Sequence, residues 1–207
     1  MKSVSKNLVI TIGREFGSGG HEVARRLSEI MGIKMYDKEL IGMVAKSHGY
    51  SEEVLHDIDE KASHSLLYAL STGAYTHHTH LVSGLHIPIN DKAFMAYAQT
   101  IKELAETESC IIVGRCADSI LKDHENLFRV FIHTDIERRV DRVSQYENIS
   151  RDEALTMIKK KDKKRSGYHN YYADTKWGAV KTYDLCIDSK IGIDKVAEII
   201  KYAAEHK

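Results

Sequence analysis

A single proline and a single tryptophan stand among 207 residues. With so few enforced breaks, the chain is free to run mostly as regular helix and strand. No surplus of either charge exists, since 30 Lys and Arg meet 30 Asp and Glu. That removes the electrostatic footing for gripping a nucleic-acid polymer or an anionic membrane surface through bulk charge. No apolar run in the sequence approaches the roughly 20 residues that a bilayer span needs. The opening stretch, Met1 to Asn7, lacks the apolar centre of a signal peptide. Cys110, Cys116 and Cys186 form neither a disulfide framework nor a C-x-x-C pair, and Cys110 and Cys186 lie in apolar runs that read as core. The expectation is a cytoplasmic chain with one α/β core and excursions, or two small domains.

What is present is concentrated near the start. Leu8 to Ile12 reads as a buried strand, and Val23, Leu27, Ile30 and Met31 repeat at helical spacing. Between them lies Gly13-Arg14-Glu15-Phe16-Gly17-Ser18-Gly19-Gly20-His21. Strand, glycine-rich turn and helix is the order a phosphate-binding loop needs, because glycines bring N–H groups close to an anion and the helix start adds about half a positive charge. The fit to G-x-x-x-x-G-K-[ST] is incomplete. With Gly19 as the second glycine, Arg14 takes the place of the first, Gly20 that of the lysine and His21 that of the magnesium-binding hydroxyl. Arg14, or an arginine from elsewhere, must then supply the cation. The competing reading is a turn that merely permits tight strand–helix packing.

Further along, Gly32 to Tyr36 reads as a second strand, with Asp37 capping a helix to about Lys46. Asp37 and Lys38 are candidates for substrate contact, against a plain cap and a solvated lysine. Ser51-Glu52-Glu53 opens another helix. Ser71 to Asn90 loses periodicity and holds His77, His78 and His80, which read either as a metal site or as a polar loop. A helix follows from Asp91 to Glu108, then a buried strand, Ser109 to Val113, that ends in Gly114-Arg115. An arginine at the carboxyl end of such a strand is well placed to fork onto a phosphate, the alternative being a structural ion pair. Leu127 to His133 reads as a third core strand, with Thr134 or Asp135 capping a helix that carries Arg138, Arg139 and Arg142. Ser150-Arg151-Asp152-Glu153 is a capping box, and its helix runs into the Lys159–Arg165 charge run, where Asp162 and Arg165 share a face. The aromatic block Tyr168 to Gly178 either stacks on a base or anchors a lid. Tyr183 to Asp188 is the last strand, and Gly192 to Ala204 the last helix, with Ile193, Val196, Ile199 and Ile200 facing inward. This alternation implies a parallel sheet with helices on both faces.

Four blocks, taken together, carry a family likeness. They are Ile12 to Gly20, Tyr36-Asp37-Lys38-Glu39-Leu40-Ile41, Val113-Gly114-Arg115-Cys116-Ala117-Asp118, and Asp162-Lys163-Lys164-Arg165 with Tyr168 to Gly178. In this order they resemble the cytidylate kinase-like proteins, a branch of the P-loop nucleoside monophosphate kinases with a variant loop. The resemblance implies the three-layer α/β fold of P-loop NTPases, with about five parallel strands. It implies a core of residues 1–37, 91–143 and 183–207, a monophosphate-binding excursion at 38–90 and a lid at 144–182. It implies ATP and Mg2+ as cofactors and small nucleotides as partners; the charge balance and the lack of a long apolar run add the expectation of no nucleic-acid polymer and no membrane, and the oligomeric state stays open. Arg14 and the loop Phe16, Gly17, Ser18, Gly19, Gly20 and His21 would hold the ATP phosphates. Arg14, Arg115, Arg138, Arg142 and Arg165 would neutralise the transferring phosphoryl group. Asp37, Lys38, Arg115, Asp162 and Arg165 would bind the acceptor. Magnesium would be held by His21, by Asp118, or by phosphates and water, with no dedicated protein metal site.

The expected reaction is transfer from ATP to a nucleoside monophosphate, CMP or dCMP first. Its rivals are a P-loop kinase for another small metabolite and a non-catalytic nucleotide-binding protein, the latter because the loop lysine is missing. Restoring that lysine by Gly20→Lys is the experiment the sequence suggests for separating catalysis from binding.

Overall fold

Val9–Arg14 forms strand β1, and its residues through Ile12 are buried on both faces of the pleat. A strand apolar on both faces belongs in the interior of a parallel sheet. β1 is followed by α1 (Gly20–Met31), β2 (Lys34–Tyr36), α2 (Glu39–His48), α3 (Ile89–Thr107) and β3 (Cys110–Val113). Then come the short α4 (Ala117–Ile120), β4 (Leu127–His133), α5 (Ile136–Glu147), α6 (Arg151–Tyr172), β5 (Leu185–Asp188) and α7 (Ile193–Glu205). The computed structural model describes residues 7–55 and 89–207. The chain divides into two compact units, one of Met1–Asp37 with Ile101–Lys207 and the other of Lys38–Thr100.

In the larger unit the five strands are ordered β2-β3-β1-β4-β5, and every pairing is parallel. β1 sits at the centre, with Ile12 level with Val113 of β3 and with Val130 of β4. That register brings the ends of β1 and β3 to one edge, where Arg14 and Gly114 emerge. Ile10, Ile12, Val130 and Ile132 join Val23, Ala24 and Leu27 of α1 and Val196, Ala197 and Ile200 of α7 in one core. Each such large side chain contributes about 1.5–3 kcal/mol when fully buried. A smaller cluster, Val140 and Val143 of α5 with Ala154 and Ile158 of α6, packs against Phe16 of the loop after β1.

Several element ends differ from the sequence expectation. α2 begins at Glu39 with Lys38 in the cap position and no side-chain cap bond, so Asp37 is not its cap. α6 does not stop near Arg165 but continues to Tyr172, taking half the aromatic block into the helix. On α7, Ile199 is 42% exposed and faces outward. Two helix caps are as the residues suggest. Asp135 accepts from the Arg138 N–H, and Ser150 and Glu153 form a reciprocal capping box. The helix opened by Ser51, whose hydroxyl accepts from the Val54 N–H, is described as far as Leu55. His77, His78 and His80 also lie outside them. Among the described residues no helix is long and apolar enough to cross a membrane.

In the smaller unit α2 buries Leu40, Ile41, Val44 and Ala45, and Ala93, Ala96 and Tyr97 of α3 are buried as well. His48 at the end of α2 is within hydrogen-bond reach of Gln99, at 3.3 Å.

Candidate active site

The turn from β1 to α1 runs from Glu15 to Gly19, and Gly17 and Gly19 both have φ of 79°. Left-handed backbone at two positions curls successive N–H groups toward one point, the geometry of an anion-binding nest. The underside of the turn is fastened. The Ser18 hydroxyl donates to the Glu15 carbonyl at 2.9 Å, and the Ser189 hydroxyl donates to the Ser18 carbonyl at 2.6 Å. The upper side is not. Among the described residues, the N–H groups of Gly17, Gly19, Gly20 and His21 meet no acceptor. Four such donors at a helix start form a site for phosphate oxygens.

Arg14 leaves the end of β1 and folds back over this turn. Its Cβ and Cγ lie 2.6 and 2.8 Å from where a Cβ on Gly20 would be, and its tip lies against Gly114. The guanidinium is 17% exposed and 3.7 Å from Asp37, which also stands 3.5 Å from Nε2 of His21. Burial lowers the proton affinity of Arg14, Asp37 opposes that, and Arg115 adds to it. Arg165, on α6, donates to the Arg14 carbonyl at 3.1 Å and lies over the Phe16 ring. Burial and the nearby Arg14 pull Arg165 down to about 9. Asp162 and Asp37 act the other way, and the guanidinium remains a cation at neutral pH.

Arg115 is held by unusual backbone. Gly114, Arg115 and Cys116 have φ of 77°, 58° and 54° in succession. Left-handed dihedrals at non-glycine residues cost on the order of 1–3 kcal/mol each and cluster where function over-determines the backbone. The turn ends β3 at the same edge of the sheet as Arg14.

A second arrangement holds the loop itself. The Phe16 N–H donates to Oδ1 of Asp162 at 2.7 Å, and Oδ2 of Asp162 is bonded by Arg139. Arg139 also faces Glu15 at 3.6 Å, and the Thr134 N–H donates to the same Glu15 oxygen. Thus both carboxylate oxygens of Asp162, a residue expected at the substrate, are engaged by the protein. Arg139 is 8% exposed, and it and Glu15 are participants that the sequence pattern did not assign to the site. Their only advance signal was the cluster of arginines on one helix.

Arg138 and Arg142 approach the loop from α5, with the Arg142 guanidinium against Gly19. With Gly17, Ser18, Ser189 and Gly192 they line an open cleft of about 430 Å³. Arg138 is paired with Asp135 at 3.1 Å, and Arg142 with Glu22 at 2.5 Å. Burial works against the Glu22 charge, but the Arg142 hydrogen bond, the Glu22 N–H and the charges of Arg142 and His21 together outweigh it and hold the carboxyl below its usual range. Lys38 is exposed and belongs to the smaller unit.

Behind Arg115, Asp118 receives Nε2 of the buried His169 at 2.8 Å, tying α4 to α6. The rest of the aromatic block serves as an anchor. Trp177 meets Phe131 of β4 edge-on at 5.2 Å, and Tyr183 packs on the same ring at 5.0 Å. Among the described residues no three His, Cys, Asp or Glu are grouped to hold a metal. Mg2+ asks for less, one or two carboxylates beside substrate phosphates. The Asp37 carboxylate at the head of the nest fits that requirement, while Asp118 is committed to His169.

A central parallel sheet with an amide nest between its first strand and first helix defines a protein of the P-loop kinase fold. The solved structures agree. A shikimate kinase from Bacteroides thetaiotaomicron superposes with a TM-score of 0.54 at 11% identity, covering 96% of this chain and 98% of that one. A protein of uncharacterised function from Eubacterium ventriosum gives 0.72 at 32% identity, covering 97% and 100%. The sequence model of the cytidylate kinase-like family matches residues 9–191, and the chain belongs to that family. A cytidylate kinase from Pyrococcus furiosus is 27% identical over 202 residues, 96% of this chain and 89% of the relative. One from Thermococcus sibiricus is 28% identical over 205 residues, 97% and 90% respectively. Family and fold together make the protein a phosphotransferase of the kinase class.

Proposed function

We propose that the protein transfers the γ-phosphoryl group of Mg-ATP to a nucleoside monophosphate, with CMP and dCMP the preferred acceptors. The observation that carries this reading is the nest of four unmet N–H donors with Arg14, Arg115 and Arg165 gathered around it. The names of the curated relatives supply the acceptor.

In this reading the loop amides from Gly17 to His21 bind the β- and γ-phosphates. The cleft beside Arg138 and Arg142 takes the nucleoside end of ATP, its 430 Å³ lying within the ordinary range for small-ligand sites. Arg115 binds the acceptor phosphate at the carboxyl end of β3. An oxygen of that phosphate attacks the γ-phosphorus while the bond to the β-phosphate oxygen breaks, leaving ADP and a nucleoside diphosphate. The acceptor oxygen is already anionic at neutral pH, so no general base is required, and the buried Asp118–His169 pair has a structural part. Asp37 would hold Mg2+, which would supply charge neutralisation when bound. The arginines add fixed positive charge where negative charge spreads in the transition state, and such preorganised charge is what most accelerates phosphoryl transfer.

The test is nucleoside diphosphate formation from ATP with CMP, dCMP, UMP and AMP in turn. Turnover with a pyrimidine monophosphate and little with AMP is the expected result. ATP binding without phosphorylation of any monophosphate overturns the reading.

A further inference from the structure

We propose that Arg14 is the phosphate-binding cation of this loop, and that Arg14 and Gly20 are a reciprocal exchange of the ordinary loop glycine and lysine. This rests on the phosphoryl-transfer reading of the site.

The ordinary pattern places glycine at the end of the strand and lysine at the start of the helix. Here the two positions are reversed in character, with arginine first and glycine second. The structure shows why the two changes belong together. A Cβ on Gly20 would lie 2.6 Å from Cβ and 2.8 Å from Cγ of Arg14. Cβ is fixed by the backbone of β1, so no rotation of the Arg14 side chain relieves that overlap. Any side chain at position 20 therefore excludes any residue larger than glycine at position 14. Gly20 opens α1, and its φ is not among the left-handed values, so space alone demands glycine there. The same Arg14 side chain then fills the room over the loop that a lysine from position 20 would have used.

Its destination supports the charge role. The guanidinium reaches the edge where β1 and β3 end, between Asp37 and the Gly114–Arg115 turn. A cation there is at the mouth of the amide nest and beside the acceptor arginine. Asp37, at 3.7 Å, balances it without a tight hydrogen bond, so a phosphate oxygen can take over as partner. Gly114 is in contact with the far end of Arg14, and it too leaves clearance for the guanidinium.

The exchange explains why Gly20→Lys on its own is a poor probe, since the new Cβ collides with Arg14 whatever the lysine charge does. The discriminating experiment is a double-substitution cycle over positions 14 and 20, read by the melting temperature and by binding of β,γ-imido-ATP. Gly20→Ala lowers the melting temperature. Arg14→Gly with Gly20→Ala recovers it, whereas Arg14→Ala with Gly20→Ala does not, because alanine keeps the offending Cβ. Arg14→Gly weakens β,γ-imido-ATP binding by about tenfold or more, the scale of one lost charge-assisted bond. Arg14→Gly with Gly20→Lys regains most of that affinity. The steric exchange is overturned if Gly20→Ala is equally destabilising in the parent and in the Arg14→Gly background. The charge assignment is overturned if Arg14→Gly binds β,γ-imido-ATP within about twofold of the parent, less than a kcal/mol. Failure of the parent to phosphorylate any monophosphate, with analogue binding intact, defeats the proposed reaction and leaves the exchange standing.

Discussion

Arg139 and Arg165 both meet one loop residue, Phe16, and differ in how closely carboxylates meet their charge. Arg139 has Asp162 on one side and Glu15 on the other, and its carboxylate partner is itself steadied by the Phe16 N–H. Arg165 has a backbone carbonyl and an aromatic face, and burial, Arg14 and to a lesser degree Arg139 oppose its charge while Asp162 and Asp37 favour it. Burying a guanidinium is expensive in either place. At Arg139 the expense is offset inside the protein, which is what a structural group requires. Around Arg14 and Arg165 burial outweighs the nearby carboxylates, Asp37 beside Arg14 and Asp162 with Asp37 near Arg165. On the proposed reading the cation with close carboxylate partners holds the loop, and the less well matched pair is left for a ligand.

The largest effect that sharpens this contrast is expected at Arg14. Arg14→Ala should lower turnover by about 100-fold or more, as loss of one preorganised charge contact does, while moving folding stability by less than about 1 kcal/mol. Steady-state rates and urea unfolding on the same preparation check it, and a stability loss matching the rate loss would erase the distinction. Arg139→Ala should do the reverse. Removing one partner of a buried pair costs about 3–5 kcal/mol, and here it strands Asp162 and Glu15 together. Unfolding midpoints in urea measure it.

Asp162→Asn should have an intermediate effect, about 1–3 kcal/mol, since the amide oxygen still accepts from Phe16 while Arg139 loses its charged partner. Its melting temperature, set beside that of Arg139→Ala, tells whether the N–H contact or the ion pair dominates. The smallest effect is at Arg142. The pair with Glu22 is well exposed, so Arg142→Ala should leave stability nearly unchanged and raise KM for ATP several-fold. Glu22 titrates lower folded than unfolded, so its small contribution is present above the unfolded value of 4.5 and fades as pH falls through the folded one. Arg142→Ala should flatten that acid-side slope of the melting temperature.

Much of the sheet could be read in advance because β1, β3 and β4 are nearly continuous apolar runs, the signature of strands buried on both faces. The helix starts at Asp135 and Ser150 were legible for the same reason, each being decided within four residues. The loop was legible from its glycines and from the order of strand and helix. The Asp162–Phe16 contact spans 146 positions, and no local pattern announces it. Asp37 shows the limit from the other side. Its place before a helix suggested a cap, but Arg14 and His21, distant in sequence and near in space, draw its carboxylate instead. The exchange of Arg14 with Gly20 was half visible. The substitution pattern could be seen in the residues, and the overlap that couples the two could not.

The hydrogen bond from Phe16 to Asp162 turns a single amide proton into a reporter. That proton is sheltered only while α6 lies on the loop, with Val140, Val143 and Ile158 packed beneath the Phe16 ring. Opening of α6 away from the loop would expose it to solvent, so its protection from exchange with deuterium would report the free energy of that opening. One backbone position would therefore measure how firmly α6 holds the loop, with no substrate present.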